Sequence, residues 1–115
     1  MSEATDIVDR QVDAYLARDL EGFLSCYSPD VTISDFEGNL VADFNGMREQ
    51  YGRLFRESPD LTGRIVNRMV VGDTVADEEE LHGFKHPEYP SDVHAAVAYH
   101  VRNGKIDRVV FLSIE

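Results

Sequence analysis

The feature that most constrains this chain lies at its C-terminal end. There, Val93 to Arg102 and Lys105 to Ile114 form two long β-rich stretches around Asn103-Gly104. Asn-Gly is the dipeptide of a two-residue type I′ turn, whose twist matches the strands it joins, so these stretches read as a β-hairpin. A second pair precedes it: Arg64 to Val71 and Thr74 to about Gly83, with Gly72-Asp73 as their turn. Between the pairs, Lys85-His86-Pro87-Glu88-Tyr89-Pro90-Ser91 is interrupted by two prolines and reads as an exposed loop. Four successive strands commit the C-terminal half to an antiparallel sheet, which needs a second layer to bury its apolar face.

The N-terminal half supplies that layer. Ala4, Ile7, Val8, Val12, Tyr15 and Leu16 fall on one face of a helix. Asp6 and Asp9 sit near its start and Arg18 near its end, as the helix dipole favours. Asp19 is the expected N-cap of a short second helix burying Leu20, Phe23, Leu24 and Tyr27, stopped by Ser28-Pro29-Asp30. Val31 to Phe36 alternates as a strand, Glu37-Gly38-Asn39 turns, and Leu40-Val41-Ala42 is a short return strand. Asn45-Gly46 opens a third helix carrying Met47, Tyr51, Leu54 and Phe55 on one face, which Ser58-Pro59 ends. The expected architecture is a single α+β two-layer domain over residues 1–115.

Charge and composition exclude several function classes. The formal net charge is -11, from 22 acidic and 11 basic residues, and a negative field of that size repels a phosphate backbone, so nucleic acid is not an expected partner. No apolar run approaches the roughly 20 residues needed to span a bilayer. The acidic start, Met1 to Asp6, lacks the basic and apolar regions of a signal peptide, and Cys26 is the only cysteine. The expected location is cytoplasmic, with Cys26 an inert buried thiol. A metal is not expected either. His82 and His86 have helix-ligand spacing, but Gly83 and Pro87 oppose a helix there. His94 and His100 lie roughly 20 Å apart along a strand, too far for one ion.

Ile7 through Val31, with Ala17-Arg18-Asp19-Leu20-Glu21-Gly22-Phe23 and Tyr27-Ser28-Pro29-Asp30-Val31 inside it, resembles the opening of SnoaL-like and ketosteroid isomerase-like proteins of the nuclear transport factor 2-like superfamily. The helix after Asn45-Gly46 and the ending Tyr99 to Ile106 are similar to that superfamily too. The resemblance covers nearly the whole chain. It implies a cone: a curved, mostly antiparallel sheet wrapped around three N-terminal helices, enclosing a pocket and commonly paired as a homodimer. It does not imply one activity, because the superfamily includes isomerases, polyketide cyclases, dehydratases, hydrolases and binding proteins. The isomerase general base, an aspartate ending the first strand, matches Asp35. The oxyanion tyrosine of the first helix matches Gln11, and the second oxyanion donor falls near Val97 or Ala98, neither of which can donate. Two of three catalytic positions depart from the isomerase pattern. Loss of one oxyanion donor costs on the order of a hundredfold in rate, so steroid isomerisation is not expected.

Each candidate residue carries two readings. Asp35 is either a base at the pocket mouth or a cap on the Glu37-Gly38-Asn39 turn. Tyr15 lies one helical turn beyond Gln11, so it either replaces the missing phenol or packs in the core. Gln11 either bonds a ligand carbonyl or faces solvent. His100 is a pocket acid or base, or a structural histidine. Asn67 shares a strand face with Ile65 and Met69, which suggests a ligand-orienting group. Val97, Tyr99, Val109 and Phe111 oppose Val101, Val110, Leu112 and Ile114; one set serves the core and pocket, the other a partner, and Val97, Tyr99 and Phe111 are the candidate pocket residues. In Asp77-Glu78-Glu79-Glu80, alternate members face opposite sides. One pair points to solvent, and the other must line the cavity or find partners, for which Arg64 and Arg68 of the preceding strand are at hand; the alternative is a cross-strand ion-pair ladder on a wet face. The expected function is binding of a small, largely apolar molecule in the pocket, with cofactor-free isomerase-, cyclase- or dehydratase-type proton transfer in which Asp35 is the base. The alternative is a non-catalytic ligand-binding or dimeric interaction module.

Overall fold

The computed structural model describes residues 2–115. Helix α1 (Glu3–Leu16) begins in a capping box: Ser2 Oγ accepts from Thr5 N at 3.2 Å while Thr5 Oγ1 accepts from Ser2 N at 3.1 Å. Its last turn carries no basic residue. Arg18, expected there, lies beyond the helix in a left-handed conformation (φ 55°) and reaches the carbonyls of Leu16 and Leu61. Helix α2 (Leu20–Leu24) is capped by Asp19, as expected, but ends before Tyr27. Tyr27 instead starts strand β1 (Tyr27–Asp35), so Ser28-Pro29-Asp30 belongs to a strand rather than a stop. The β1–β6 register shifts between Tyr27 and Thr32, an irregularity that accommodates Pro29 in the strand. Strand β2 (Leu40–Ala42) is followed by helix α3 (Phe44–Glu57), whose N-cap is Asp43 rather than Asn45. Asp43 Oδ1 accepts from Gly46 N at 2.8 Å.

Strands β3 (Thr62–Val71), β4 (Thr74–His82), β5 (Val93–Arg102) and β6 (Lys105–Ile114) follow. All six strands form one open, curved sheet in the order β2-β1-β6-β5-β4-β3. The C-terminal four are antiparallel, while β1 pairs with β6 in parallel, which makes the sheet mixed. Asn103 (φ 53°) and Gly104 (φ 76°) both occupy the left-handed region that the type I′ turn demands.

Register shifts decide which residues face inward. Bulges between Ile65 and Asn67, between Ala96 and Val97, and between His100 and Val101 interrupt strict alternation and bend the strands. Val101 shares the parity of Val97 and Tyr99 and is buried with them rather than facing away with Val110 and Leu112, and the extra residue at Asp107 on β6 brings Ile106 onto Val109's buried face. The helices cover this inner face. Val8, Phe23, Leu24, Met47, Leu54 and Phe55 meet Val31, Ile33, Val75 and Val97 in one apolar cluster. No helix among the described residues is long and apolar enough to cross a membrane.

Candidate functional site

The helices do not fill the sheet's concave side. A cavity of about 580 Å³ remains between them, within the size range of small-molecule pockets. Its walls are mostly apolar and aromatic, with contributions from Phe23, Ile33, Leu54, Val97, Val109 and Phe111. Exposed side chains form its rim: Arg53 and Glu57 at the end of α3, and Lys85 to Tyr89 from the loop after β4. That loop is internally packed, with Phe84, His86 and Tyr89 ring centroids 5.1–6.3 Å apart. Lys85 N donates to the buried Ser58 Oγ at 3.0 Å and holds the loop against the end of α3.

Polar groups in the interior are few. Tyr15, Tyr27, Tyr51 and Tyr99 enter from α1, β1, α3 and β5, and Glu79 from β4. The tyrosines of α1, β1 and α3 are packed through Phe23, whose ring lies 5.8 Å from Tyr15, 5.0 Å from Tyr27 and 4.8 Å from Tyr51. Tyr27 Oη donates to Gln11 Oε1 at 2.9 Å, and both residues are buried. Tyr99 Oη donates to Glu79 Oε2 at 2.8 Å. Burial drives all four phenols above their ordinary pKa, with the nearby Glu79 charge adding to the effect, so each stays protonated and able to donate.

Glu79 stands apart among the acidic residues. Cross-strand register sets it between Ile65 and Ala95, two apolar cavity residues. Burial above all, with a lesser push from the neighbouring Asp77, raises its carboxyl to about 7. The bond from Tyr99 and the charge of Arg68 oppose that rise without cancelling it. Asp77, on the same face, is fully buried but paired: Arg68 Nε donates to Oδ1 at 2.7 Å and Nη2 to Oδ2 at 2.9 Å. Arg68 also donates to Asp9 at 2.6 Å, which ties α1 to the sheet. Glu78 and Glu80 occupy the outer face, where Glu80 pairs with Arg64 at 2.8 Å and Glu78 accepts from Asn67 at 2.7 Å. The solvent-facing pair is thus Glu78 and Glu80 and the inward pair Asp77 and Glu79, with Arg68 partnering the inward Asp77 and Arg64 the outward Glu80.

Of the residues singled out from sequence, Gln11, Tyr15, Asp35, Val97, Tyr99 and Phe111 all line the cavity. Asp35 does so half-exposed, with both carboxylate oxygens engaged by one residue. Asn39 N donates to Oδ1 at 2.9 Å and Asn39 Nδ2 to Oδ2 at 3.1 Å. These bonds hold the carboxyl below its ordinary pKa, the geometry of a turn cap and a weak proton acceptor at neutral pH. Asn67 and His100 are corrections. The bulge after Ile65 rotates Asn67 to the outer face, where it is exposed and bound to Glu78. His100 lies outside the cavity wall on the outer face of β5, with Nδ1 2.7 Å from Asp107 Oδ1. Tyr27 and Tyr51 were legible only as buried helical aromatics. Glu79 was flagged within the acidic run, and its inward face follows from sharing Val75's parity.

The remaining histidines and the cysteine lie outside the cavity or at its rim. His94 Nε2 is 2.6 Å from Glu78 Oε2, and His82 Nδ1 is 3.0 Å from Asp92 Oδ1. Cys26 is buried, with its thiol raised chiefly by burial. Among the described residues no group of three or more His, Cys, Asp or Glu side chains is placed to hold a metal ion.

Comparison with known proteins agrees with this geometry. The family model for the SnoaL-like domain matches residues 8–109. An uncharacterized cystatin fold protein from Novosphingobium aromaticivorans superposes with a TM-score of 0.84 at 22% identity, covering 98% of this chain and 99% of that one. AclR from Streptomyces galilaeus, a candidate hydroxylase, gives 0.82 at 21% identity, covering 100% and 80%. IdmH from Streptomyces antibioticus, a candidate polyketide cyclase, gives 0.77 at 19% identity, covering 96% and 91%. At these identities the likeness concerns the fold. No curated protein matches the chain.

Proposed function

Because this chain belongs to the SnoaL-like domain family, we propose that it binds a small, largely apolar molecule bearing a carbonyl or hydroxyl group in its cone cavity and carries out cofactor-free proton transfer there, of isomerase, cyclase or dehydratase type. The observation that carries this reading is the cavity of about 580 Å³, whose apolar walls hold a few polar groups grouped around one carboxyl. Apolar walls drive binding through burial of ligand surface, and the sparse polar groups fix its orientation. Similar chains described as candidate polyketide cyclases support a ligand of that general kind. The test is fluorescence titration with naphthol, an apolar ring bearing one hydroxyl. Ala95→Phe, which fills the cavity from β5, should weaken naphthol binding by tenfold or more, roughly 1.4 kcal/mol. Unchanged binding in that variant would place the ligand elsewhere and end the pocket reading.

The outer sheet face supports a homodimer as part of the same reading. Cross-strand register aligns Met69, Ala76, Ala98 and Val110 in one apolar row, with Leu112 and Met69 exposed by 38% and 64%. A second copy laid across that row would remove it from water.

A further inference from the structure

We propose that Glu79 is the proton-exchanging carboxyl of this cavity, that Gln11 holds the oxygen of the ligand, and that the Glu79 charge selects uncharged carbonyl- or hydroxyl-bearing ligands over anionic ones. This rests on the pocket reading above and assigns its chemistry.

The assignment starts from hydrogen-bond bookkeeping. Tyr99 Oη occupies Glu79 Oε2, and no described residue donates to Oε1. On the helical wall, Gln11 Oε1 accepts from Tyr27 Oη, which leaves Gln11 Nε2 as an N–H donor without a described partner. No buried polar side-chain atom among the described residues is sealed away without a hydrogen bond, so these two free atoms are open to the cavity. The cavity therefore offers one acceptor on the sheet and one donor on the helices, which is what a carbonyl with an adjacent acidic C–H requires. Gln11 stands where the family resemblance expects an oxyanion-holding tyrosine, and an amide N–H donates as a phenol does.

The groups facing Glu79 set its behaviour. Tyr15, Tyr27, Tyr51 and Tyr99 are neutral donors from α1, β1, α3 and β5. Asp77 of β4 raises Glu79 and its partner Arg68 of β3 lowers it, while β6 presents only Val109, Phe111 and Ile114. Arg53 and Glu57 of α3, Lys85, His86 and Glu88 of the loop, Arg64 of β3 and Asp35 of β1 are the other charged or titratable groups along the cavity lining. Glu79 thus exchanges its proton near neutrality, where a carboxyl serves as both base and acid.

With Glu79 ionised, Oε1 takes a proton from the carbon beside the ligand carbonyl. The C–H bond breaks, an O–H bond forms on the carboxyl, and the electron pair moves into an enolate whose oxygen accepts from Gln11 Nε2–H. Returning the proton to either end of the enolate system restores the ketone or moves the double bond, with no net oxidation. A carboxylate ligand would set a second negative charge beside Glu79 and force one of the two to take up a proton, which disfavours its binding.

Hydrogen–deuterium exchange of beta-tetralone, followed by proton NMR in deuterated buffer, tests the assignment without knowledge of the natural ligand. The wild-type protein should exchange the ketone faster than buffer, with a pH profile rising through about 7. Glu79→Gln should lower the enzymic rate about a hundredfold, whereas Glu78→Gln, on the outer face of the same strand, should leave it unchanged. Tyr99→Phe removes a bond that lowers the Glu79 pKa and should move the profile to higher pH. Naphthol should bind the wild type roughly tenfold or more tightly than naphthoate. The proposal is overturned if Glu79→Gln retains exchange, if the profile has an ordinary carboxylate midpoint, if naphthoate binds as well as naphthol, or if the wild type is no faster than buffer. Naphthol binding without exchange sinks the Glu79 assignment alone. A wild type that binds neither naphthol nor naphthoate sinks the pocket reading with it.

Discussion

At the scale of single residues, the carboxyl that the sequence singles out, Asp35, and one it leaves within an acidic run, Glu79, part company through their neighbours. Asp35 receives two hydrogen bonds from Asn39 and is stabilised as an anion, while Glu79 lies in an apolar wall and is stabilised as an acid. Opposite consequences follow. A carboxyl whose pKa rises on folding binds more protons in the folded state than in the unfolded one, so its contribution is full below the unfolded value and is lost as pH rises through about 7. Glu79→Gln should therefore match the wild type near pH 5 and exceed its stability by ~1–2 kcal/mol near pH 8, as urea unfolding at the two pH values would measure. A gap that is constant with pH would show that Glu79 is not raised. Asp35→Asn should instead lower the thermal midpoint at neutral pH through its weakened turn bonds, with ketone exchange retained. Abolished exchange in Asp35→Asn with stability intact would return the base role to Asp35.

At the scale of elements, local chemistry explains where segments begin, and bulges explain which way they face. The caps at Ser2, Asp19 and Asp43 each satisfy orphan amides of a first helical turn. Asp43→Ala should lower stability by about 1 kcal/mol, read as a shift in the thermal midpoint. The β4–α3 side of the cavity rim depends on Gly83, which has φ 75° and lies so close to Asp60 that an added Cβ would stand 2.4 Å from the Asp60 carbonyl oxygen. Gly83→Ala should thus cost about 2 kcal/mol or more and loosen the loop from Lys85 to Tyr89. Amide exchange in that loop checks it, and unchanged protection would count against the rim being held in this way. Asn67 illustrates what sequence periodicity misses. Period two assigns it to Ile65's face, but one extra residue in β3 turns it outward, and nothing in the local residue types marks the bulge.

At the scale of the whole molecule, the sheet bears apolar surface on both faces for different ends. The concave face closes over the core and the cavity, and the outer row of Met69, Ala76, Ala98 and Val110 is the surface proposed to take a second copy. Native mass spectrometry should find a dimer, and Val110→Arg should reduce it to monomer without loss of secondary structure. A wild-type monomer at micromolar concentration would exclude this arrangement.

Element order, turn positions and the two-layer α+β class were determined by the sequence alone, because they depend on local signals: Asn103-Gly104, the helical periodicity of residues 4–16, and the proline-interrupted loop. The cone's resemblance-based identity was legible for the same reason, since helix starts, turns and core positions lie in short continuous stretches. The parallel placement of β1 on β6, the strand character of Tyr27 and the outward rotation of Asn67 were decided only in the folded chain. So was the choice between Asp35 and Glu79. A carboxyl's protonation depends on which groups surround it in space, and residues as distant in sequence as Gln11, Tyr51 and Tyr99 meet Glu79 only when the sheet curves around the helices.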